Sequence, residues 1–225
     1  MKVVRLSPSK IEQFRKHYHG EYFESITKEK VIDYLMGLKE YKRQMDFGTA
    51  YHAIIENGAL CYLNAETNRY DVRIADMQDV ISFSANEIAP AVYYRNKYQG
   101  SVDECWWDYE IKIGNYLVKI PMRIDKMYGK RVHEIKTTNS TSVDVESYMR
   151  SYQWRIYLLS LGADFIQYDI FNYYKAENDK EYNVNYFDFK LYPCLDLAED
   201  VLGMTRLTLE FALDHGLESY ILEKK

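Results

Sequence analysis

The sequence predicts an α/β protein with a central mixed β-sheet flanked by helices and with a helical N-terminal region. Two observations predict this class. Apolar residues recur at helical spacing through much of the first hundred residues. Strand-like segments then follow one another between glycine turns. The order of helices, a three-stranded meander, a helix and a further strand is typical of an α/β sandwich around a mixed sheet.

The N-terminal region is predicted to contain four helices, over residues 7–17, 28–39, 48–63 and 82–98. Ser7 or Ser9 can begin the first helix, and Glu12 follows Ser9 at the spacing of a capping box. In the third helix, apolar residues from Ala53 to Cys61 recur at helical spacing. These segments make the first hundred residues mostly helical in this interpretation.

Strands are predicted beyond residue 100 over 106–113, 116–127, 131–137, 165–174 and 183–191, and helices over 144–161 and 195–214. Turns at Gly114-Asn115 and Gly129-Lys130 separate the first three strands, and Gly162 ends the helix that follows them. We expect one domain over residues 1–225. Its parts are a helical region at 1–100, an α/β core at 101–175 and a C-terminal strand and helix at 176–225.

Composition limits the classes of function. The chain has 225 residues and a net charge of −5, which argues against a DNA-binding protein that relies on phosphate neutralisation alone. Cys61, Cys105 and Cys194 lie far apart, so a zinc or iron–sulfur site has no support. No stretch reaches transmembrane length and no apolar leader begins the sequence, so we expect an intracellular protein with no membrane association.

Two carboxylates and a lysine are predicted to meet on one hairpin, with Gly129-Lys130 as its two-residue loop. The pairs that this loop sets are Tyr128 with Arg131, Met127 with Val132 and Asp125 with Glu134. Directly opposed residues of an antiparallel pair share a face. Lys136 lies two residues beyond Glu134 and shares that face as well. Facing carboxylates repel, so the arrangement calls for a cation, either Lys136 alone or a divalent metal such as Mg²⁺.

The Glu-x-Lys triplet alone is a weak signal, because it occurs four times in the chain. Only the triplet at Glu134 has an acid placed opposite it across a tight turn, and a surface ion cluster is an equally good interpretation of that hairpin by itself. The flanking segments favour a functional site. Gln153 and Tyr157 share a helix face in the next helix, and His52 precedes Glu56 by one turn in an earlier one.

Five short motifs occur in an order that resembles the RecB-type branch of the PD-(D/E)XK nucleases. They are S-P-S-K-I-E-Q-F at the start, D-F-G-T-A-Y-H-A-I-I-E with its G-T-A-x-H, then I-D, E-I-K-T-T and Q-x-x-x-Y. The first two resemble phage RecE-type recombination exonucleases in particular. The resemblance spans about residues 7–175 and implies a restriction-endonuclease-like core, a central mixed sheet flanked by helices.

The resemblance also implies a set of site residues. His52, Asp125 and Glu134 would bind Mg²⁺, or Mn²⁺ in its place, together with the backbone carbonyl of Ile135. Lys136 would orient or activate the attacking water or stabilise charge on the phosphate. The remaining implied residues are Gln153, which would position water or substrate, and Tyr157, which would support it. The number of metal ions stays open.

The sequence departs from the family pattern in two places. Ile124 stands where the superfamily name has proline, a variation common in the RecB-type branch. His17-Tyr18-His19 stands near the first cysteine of the members that carry an iron–sulfur cluster, and no later group of cysteines follows. We therefore expect no iron–sulfur cluster.

Several residues have competing interpretations. Glu110 is either a third carboxylate of the site or the cross-strand partner of Lys119. The tryptophans at 106, 107 and 154 could stack on bases, but packing against the sheet is the better interpretation. His133 alternates to the face opposite Glu134 and is not assigned to the site. Glu56 either supports His52 or is solvated. The basic residues before the His52 helix are a solvated face or a contact to the DNA backbone: Lys28, Lys30, Lys39, Lys42 and Arg43.

The predicted function is metal-dependent hydrolysis of DNA phosphodiester bonds. An exonuclease that resects ends for recombination or repair is the first hypothesis, in the cytoplasm of a bacterium or of a phage-infected host cell. By analogy with relatives, it would act with a single-strand annealing protein and form a homo-oligomeric ring. The alternatives are an endonuclease of the same fold, or a catalytically silent module that binds nucleic acid or a partner.

Overall fold

The computed structural model describes residues 1–20, 26–38, 44–56, 61–73, 80–175 and 180–223. Its strands are β1 (Lys2–Arg5), β2 (Cys61–Asn64), β3 (Arg69–Val72), β4 (Ile81–Phe83), β5 (Val102–Ile113), β6 (Tyr116–Tyr128), β7 (Arg131–Thr138), β8 (Phe165–Tyr174) and β9 (Asn183–Leu191). Its helices are α1 (Pro8–His19), α2 (Lys28–Met36), α3 (Gln44–Glu56), α4 (Ala85–Lys97), α5 (Val145–Arg150), α6 (Gln153–Leu161), α7 (Leu197–Asp214) and α8 (Glu218–Ile221).

The main sheet has six strands in the order β1-β6-β7-β8-β9, with β5 paired to the other edge of β6. Strand β6 pairs with β1 in parallel near its start and with β7 antiparallel near its end. The β7–β8 pair is parallel, and helices α5 and α6 lie in the connection between these strands. The predicted α/β class with a central mixed sheet and flanking helices is confirmed.

Two hydrophobic cores form, and alternate residues of β7 contribute to different ones. Val132 belongs to the first core, which includes residues of α1, α2, α6 and α7. Ile135 belongs to the second core, which includes residues of α3, α4 and the three-stranded sheet β2-β3-β4. Since side chains alternate across a strand, helices α6 and α3 pack on different faces of β7. Groups from both faces can therefore approach its end.

The predicted helix over 144–161 is wrong in one respect that matters for the site. It is two helices, because Ser151 has an extended backbone with ψ of 144° and interrupts the helical path. The second helix, α6, therefore begins at Gln153. It ends at Gly162, whose left-handed conformation with φ of 56° needs no Cβ, as predicted.

Other predicted boundaries also change in the N-terminal part. Cys61 begins strand β2 instead of extending the helix predicted over 48–63, of which residues 57–60 lie outside the described ranges. Residues 82–83 belong to β4, and the helix that follows has a capping box formed by Ser84 and Glu87. The sequence did not predict β1 or the small sheet, since their short strands carry little periodicity of their own.

Two further observations concern the start of the chain. The predicted capping box of Ser9 and Glu12 does not form, because Ser7 begins α1 and Glu12 contacts Arg15 instead. Within the described ranges, none of the helices combines the length and the apolar character that crossing a bilayer requires.

Candidate metal centre

Asp125 lies at an interruption in the pairing on both sides of β6. The ladder with β7 runs from Tyr128–Arg131 to Lys126–His133, and no pair joins Asp125 to Glu134. The ladder with β5 likewise passes from Lys126 to Ile124 without a partner for Asp125. The predicted pairing of Asp125 with Glu134 is therefore wrong, although the two outer pairs predicted for the hairpin are confirmed.

The interruption gives the Asp125 carboxylate a different role in the hairpin. Its Oδ2 accepts a hydrogen bond of 2.8 Å from the backbone amide of Ile135. The side chain thus replaces the carbonyl that a regular ladder would offer at this place. Ile124 and Met127 both contact the first core, which shows that the strict alternation of β6 fails between them. The carboxylate thus links β6 and β7 where their main-chain pairing stops.

Glu134 is buried, with 3% of its surface exposed, and its two oxygens have different environments. Oε1 accepts hydrogen bonds from Lys136 Nζ at 2.6 Å and from Gln153 Nε2 at 2.7 Å. Oε2 is buried and, among the described residues, has no hydrogen-bond partner. A buried carboxylate oxygen without a partner is unfavourable, so it marks a place where a cation or donor can bind.

Helix α6 holds the polar residues beside Glu134. Gln153 receives a hydrogen bond from Lys136 Nζ at its Oε1 over 3.2 Å. Its Nε2 donates to the Tyr157 hydroxyl at 3.0 Å as well as to Glu134. Tyr157 in turn donates to the backbone carbonyl of Arg123 at 3.0 Å. Gln153 and Tyr157, the predicted i, i+4 pair, are thus in contact. Hydrogen bonds at both the oxygen and the nitrogen of the Gln153 amide fix its orientation.

Glu12 holds the start of α6 from the neighbouring helix α1. Its Oε2 accepts a 2.8 Å hydrogen bond from the backbone amide of Tyr152, the residue before Gln153. Its Oε1 accepts from the buried Arg15 side chain at 2.9 Å. A carboxylate near a helix N-terminus is also favoured by the helix dipole. Sequence reasoning missed this role because it depends on two helices that are distant in the chain.

Helix α3 brings His52 and Glu56 to the same region. A Cβ added to Gly48 would lie 2.6 Å from Thr137 Oγ1 of β7, so only glycine permits this close approach. His52 Nδ1 lies 3.5 Å from Glu56 Oε1, and Glu56 Oε2 lies 3.6 Å from a guanidinium nitrogen of Arg123.

His52, Glu56 and Asp125 form what we call the metal group, a cluster that could hold a metal ion. One ligand atom of each lies within 4.8 Å of those of the other two. Glu56 Oε1 is buried and accepts no hydrogen bond from the described residues. Two carboxylates with an imidazole suit Mn²⁺ well, and the oxygen ligands suit Mg²⁺. The donor set and the unpartnered buried oxygens of Glu56 and Glu134 fit a divalent cation.

The predicted metal ligands are thus only partly brought into one group. His52 and Asp125 lie together, and Glu56, which the sequence left open, joins them. Glu134 lies beside this group and influences it electrostatically. For Ile135, the structure gives the amide contact to Asp125, while its carbonyl as a ligand stays a prediction. The spacing of Glu56 four residues after His52 was the available signal for its position.

Burial and neighbouring charge change the acidity of the site. Burial, with a smaller effect from Asp125, raises the pKa of Glu134 to about 7. The pKa of Lys136 is raised as well. Burial, the largest influence, lowers it, but the combined attraction of Glu134 and Asp125 outweighs burial. Burial also raises the pKa of Tyr157, so its hydroxyl stays protonated and can donate.

Other residues considered in the sequence lie outside this group. His133 is buried on the other side of β7, where Nδ1 lies 2.8 Å from Asp169 Oδ2, as its alternation predicted. Glu110 pairs directly with Lys119 across β5 and β6 and is exposed, which agrees with the cross-strand interpretation. Trp154 is buried as predicted.

Two predictions of packed side chains are wrong. Trp106 and Trp107 of β5 are 73% and 50% exposed, because β5 is an edge strand with a neighbour on one side only. Of the basic run, Lys28 and Lys30 are exposed on α2, and the other three residues lie outside the described ranges: Lys39, Lys42 and Arg43.

Comparisons with known proteins add little to this geometry. No family model matches the chain, and no curated protein matches it. Among solved structures, it is similar to one described as "Crystal structure of SSO0001", with 15% sequence identity and a TM-score of 0.45. The alignment covers 93% of this chain and 76% of the other. A likeness at this level assigns neither a family nor an activity.

Proposed function

We propose that the protein is a metal-dependent DNA nuclease that hydrolyses phosphodiester bonds. The observation that carries the proposal is the convergence of His52, Glu56 and Asp125 beside the Glu134–Lys136 pair. Carboxylates that are buried together need a cation, and Lys136 alone leaves one oxygen of Glu134 unpartnered. A surface ion cluster, the competing interpretation of the hairpin, does not explain the burial of Glu134.

His52, Glu56 and Asp125 would hold Mg²⁺ or Mn²⁺, with Glu134 completing the site. When bound, such a cation polarises the phosphoryl oxygen and makes its bound water more acidic. These three residues come from two elements. Helix α3 carries His52 and Glu56, and strand β6 carries Asp125, whose carboxylate accepts a hydrogen bond from the Ile135 amide. Attack by water forms a new P–O bond, and the bond from phosphorus to the leaving sugar oxygen breaks. The proton that the water loses to solvent is balanced by the one that the leaving oxygen takes up.

Lys136 would stabilise the negative charge that develops on the phosphoryl group. Its raised pKa keeps the ammonium protonated, which favours this role over that of a base that removes a proton from water. Gln153 holds the ammonium in place while it also contacts Glu134. Tyr157 prevents the amide from rotating, because its hydroxyl accepts from Gln153 Nε2.

Within this proposal, the finer assignments follow the family resemblance. The first hypothesis is an exonuclease that resects DNA ends in the cytoplasm, with a single-strand annealing protein as a partner and a ring-shaped homo-oligomer as the assembly. An endonuclease of the same fold is the alternative. An exonuclease degrades linear DNA and leaves closed circular DNA intact, whereas an endonuclease cuts both.

The test is incubation of purified protein with end-labelled duplex, single strands and circular plasmid, with Mg²⁺ or with EDTA. We expect cleavage with Mg²⁺ only. Lys136→Ala should lower the rate by about 10²- to 10³-fold, the effect of removing one charge-stabilising donor. Lys112→Ala is the matched control, since Lys112 belongs to another Glu-x-Lys triplet and is exposed on β5. Equal rates for both variants and the wild type would refute the role of Lys136.

A further inference from the structure

Trp106 is the large aromatic residue of β5 that packs least, with 73% of its surface exposed. Among the described residues, no aromatic ring or cation is stacked on its indole. An exposed tryptophan does not by itself require an explanation. The position of Trp106 does require an explanation, because a single residue links its indole to the candidate metal centre.

That residue is Arg123 of β6. Trp106 pairs directly with Arg123 across β5 and β6, so the two side chains share a face and lie side by side. The Arg123 guanidinium lies 3.6 Å from Glu56 of the metal group. Its backbone carbonyl accepts the hydrogen bond of Tyr157. The indole therefore stands one side chain away from the carboxylates, on the face of the sheet where α3 approaches.

Trp107 differs from its neighbour in this respect. It pairs with Met122, which is buried in the first core, so Trp107 lies on the opposite face of the sheet. It is 50% exposed, has the same side chain and belongs to the same strand. The two residues thus form a natural pair for comparison, with only Trp106 next to the metal group.

An aromatic platform suits the charge of this protein. With a net charge of −5, the chain has a limited capacity to hold DNA by neutralising phosphates. Arg123 is itself paired with Glu104 and Glu56 and so carries little free positive charge. Stacking between a base and an indole does not depend on charge, and it needs an unpaired base whose face is accessible.

We propose that Trp106 stacks on a base of an unpaired DNA strand and so places the adjacent phosphate at the metal group. The substrate class is single-stranded DNA or a frayed duplex end. This inference rests on the proposed nuclease function for the position of the phosphate, but the stacking contact can be measured without cleavage. It makes Trp106 a determinant of strand preference.

The experiment measures binding of a fluorescent oligothymidine by anisotropy, with Ca²⁺ in place of Mg²⁺. The same oligonucleotide with abasic positions at its end serves as the second probe. Trp106→Ala should weaken binding of oligothymidine about tenfold, within the range for loss of one stacked base, and Trp106→Phe should retain most of it. Trp107→Ala should bind as the wild type does. None of the variants should change binding of the abasic probe by more than about twofold.

The outcomes separate this inference from the proposed function. If Trp106→Ala binds oligothymidine more weakly than the wild type does but binds the abasic probe equally well, the result supports stacking. This holds even if no DNA is cleaved in Mg²⁺. If the wild type cleaves DNA and Trp106→Ala matches Trp107→Ala with both probes, the stacking contact is refuted and the nuclease proposal stands. A wild type that binds neither probe also refutes it.

Discussion

At the scale of single residues, Glu134 shows most clearly how burial determines the chemistry of the site. Its side chain is buried beside Asp125, yet only one of its oxygens is hydrogen-bonded by the described residues. Because hydrogen bonds do not fully compensate for the burial of this carboxylate, its pKa rises to about 7. The group can therefore change its protonation near neutral pH, which an exposed glutamate does not do.

This pKa predicts how pH changes the response to a metal. Because the folded-state pKa lies above the ordinary value of 4.5, ionisation of Glu134 destabilises the metal-free fold as pH rises from about 4.5 through about 7. A cation needs the ionised carboxylate and competes with the proton. We expect millimolar Mg²⁺ to raise the melting temperature little at about pH 5.5 and substantially at about pH 8, as measured by differential scanning fluorimetry.

Glu134→Gln is the informative variant for that prediction, since its amide does not ionise. The increase in melting temperature caused by Mg²⁺ should become smaller and should rise less between about pH 5.5 and about pH 8 than it does in the wild type. Glu110→Gln, a change at an exposed glutamate of β5, should leave the rise intact. A wild-type response to Mg²⁺ that stays flat across neutral pH would show that Glu134 does not titrate with metal binding.

At the scale of secondary-structure elements, the site depends on how closely α3 approaches β7. Gly48 permits the contact with Thr137, and His52 follows Gly48 by about one helical turn. A shift of α3 would move His52 and Glu56 together, because both lie on its last turns. The geometry of the metal group is therefore set by a residue that does not belong to it.

Gly48→Ala should reveal this dependence. The added methyl group would meet Thr137 Oγ1 at 2.6 Å, so the helix or the strand must move. We expect a loss of about 1–3 kcal/mol in the free energy of unfolding, from urea denaturation, and weaker Mg²⁺ binding. Gly203→Ala in α7, where nothing lies within 4 Å, should instead stabilise the protein by about 0.5–1 kcal/mol. The double variant Gly48→Ala/Thr137→Ala should lose less stability than the sum of the losses of the two single variants, because the clash is removed. Losses that simply add would show that the clash does not occur.

Helix α6 is fixed in a comparable way by Glu12. Glu12→Ala removes the carboxylate that accepts from the Tyr152 amide and leaves the buried Arg15 without this partner. We expect a loss of about 1–2 kcal/mol in the free energy of unfolding, and a lower kcat with a smaller change in KM, because Gln153 is less well positioned. The control is Glu146→Ala on α5, where the exposed ion pair with Arg150 contributes little. Identical kinetics for the two variants would show that Glu12 has no influence on Gln153.

These elements also show what the sequence could predict. Strands β8 and β9 have the predicted bounds, because long apolar or alternating runs carry their own signal. Strand β1 was missed since its pairing with β6 lies far along the chain. Motif order predicted His52 and Asp125 as metal ligands, and the structure brings these two residues together. The spacing of Glu56 placed it on the same helix face as His52, but only the packing of α3 shows that it lies beside Asp125. Trp106 is exposed because β5 is an edge strand, and the sequence around Trp106 does not indicate that its strand lies at an edge.

At the scale of the whole molecule, the two faces of the sheet carry polar groups of different kinds. Near α6, Glu134 keeps an oxygen without a partner among the described residues. In the second core, the carboxylate of Asp169 is fully buried and accepts hydrogen bonds from Tyr94, Tyr186 and Gln167, at 2.6, 2.6 and 2.7 Å. Its Oδ2 also lies 2.8 Å from His133. A satisfied network of this kind specifies packing and leaves no position for a ligand.

Asp169→Asn tests this division of the molecule. The new amide group would face donors, because burial, the largest influence, raises the pKa of both Tyr94 and Tyr186 and keeps their hydroxyls protonated. We expect a loss of about 3 kcal/mol in the free energy of unfolding, from urea denaturation. At a temperature where the variant is folded, Mg²⁺-dependent DNA cleavage should stay within about threefold of the wild type, since the metal group draws no ligand from this network. A cleavage rate that falls as far as that of Lys136→Ala, with the fold intact, would show instead that the buried network belongs to the catalytic machinery.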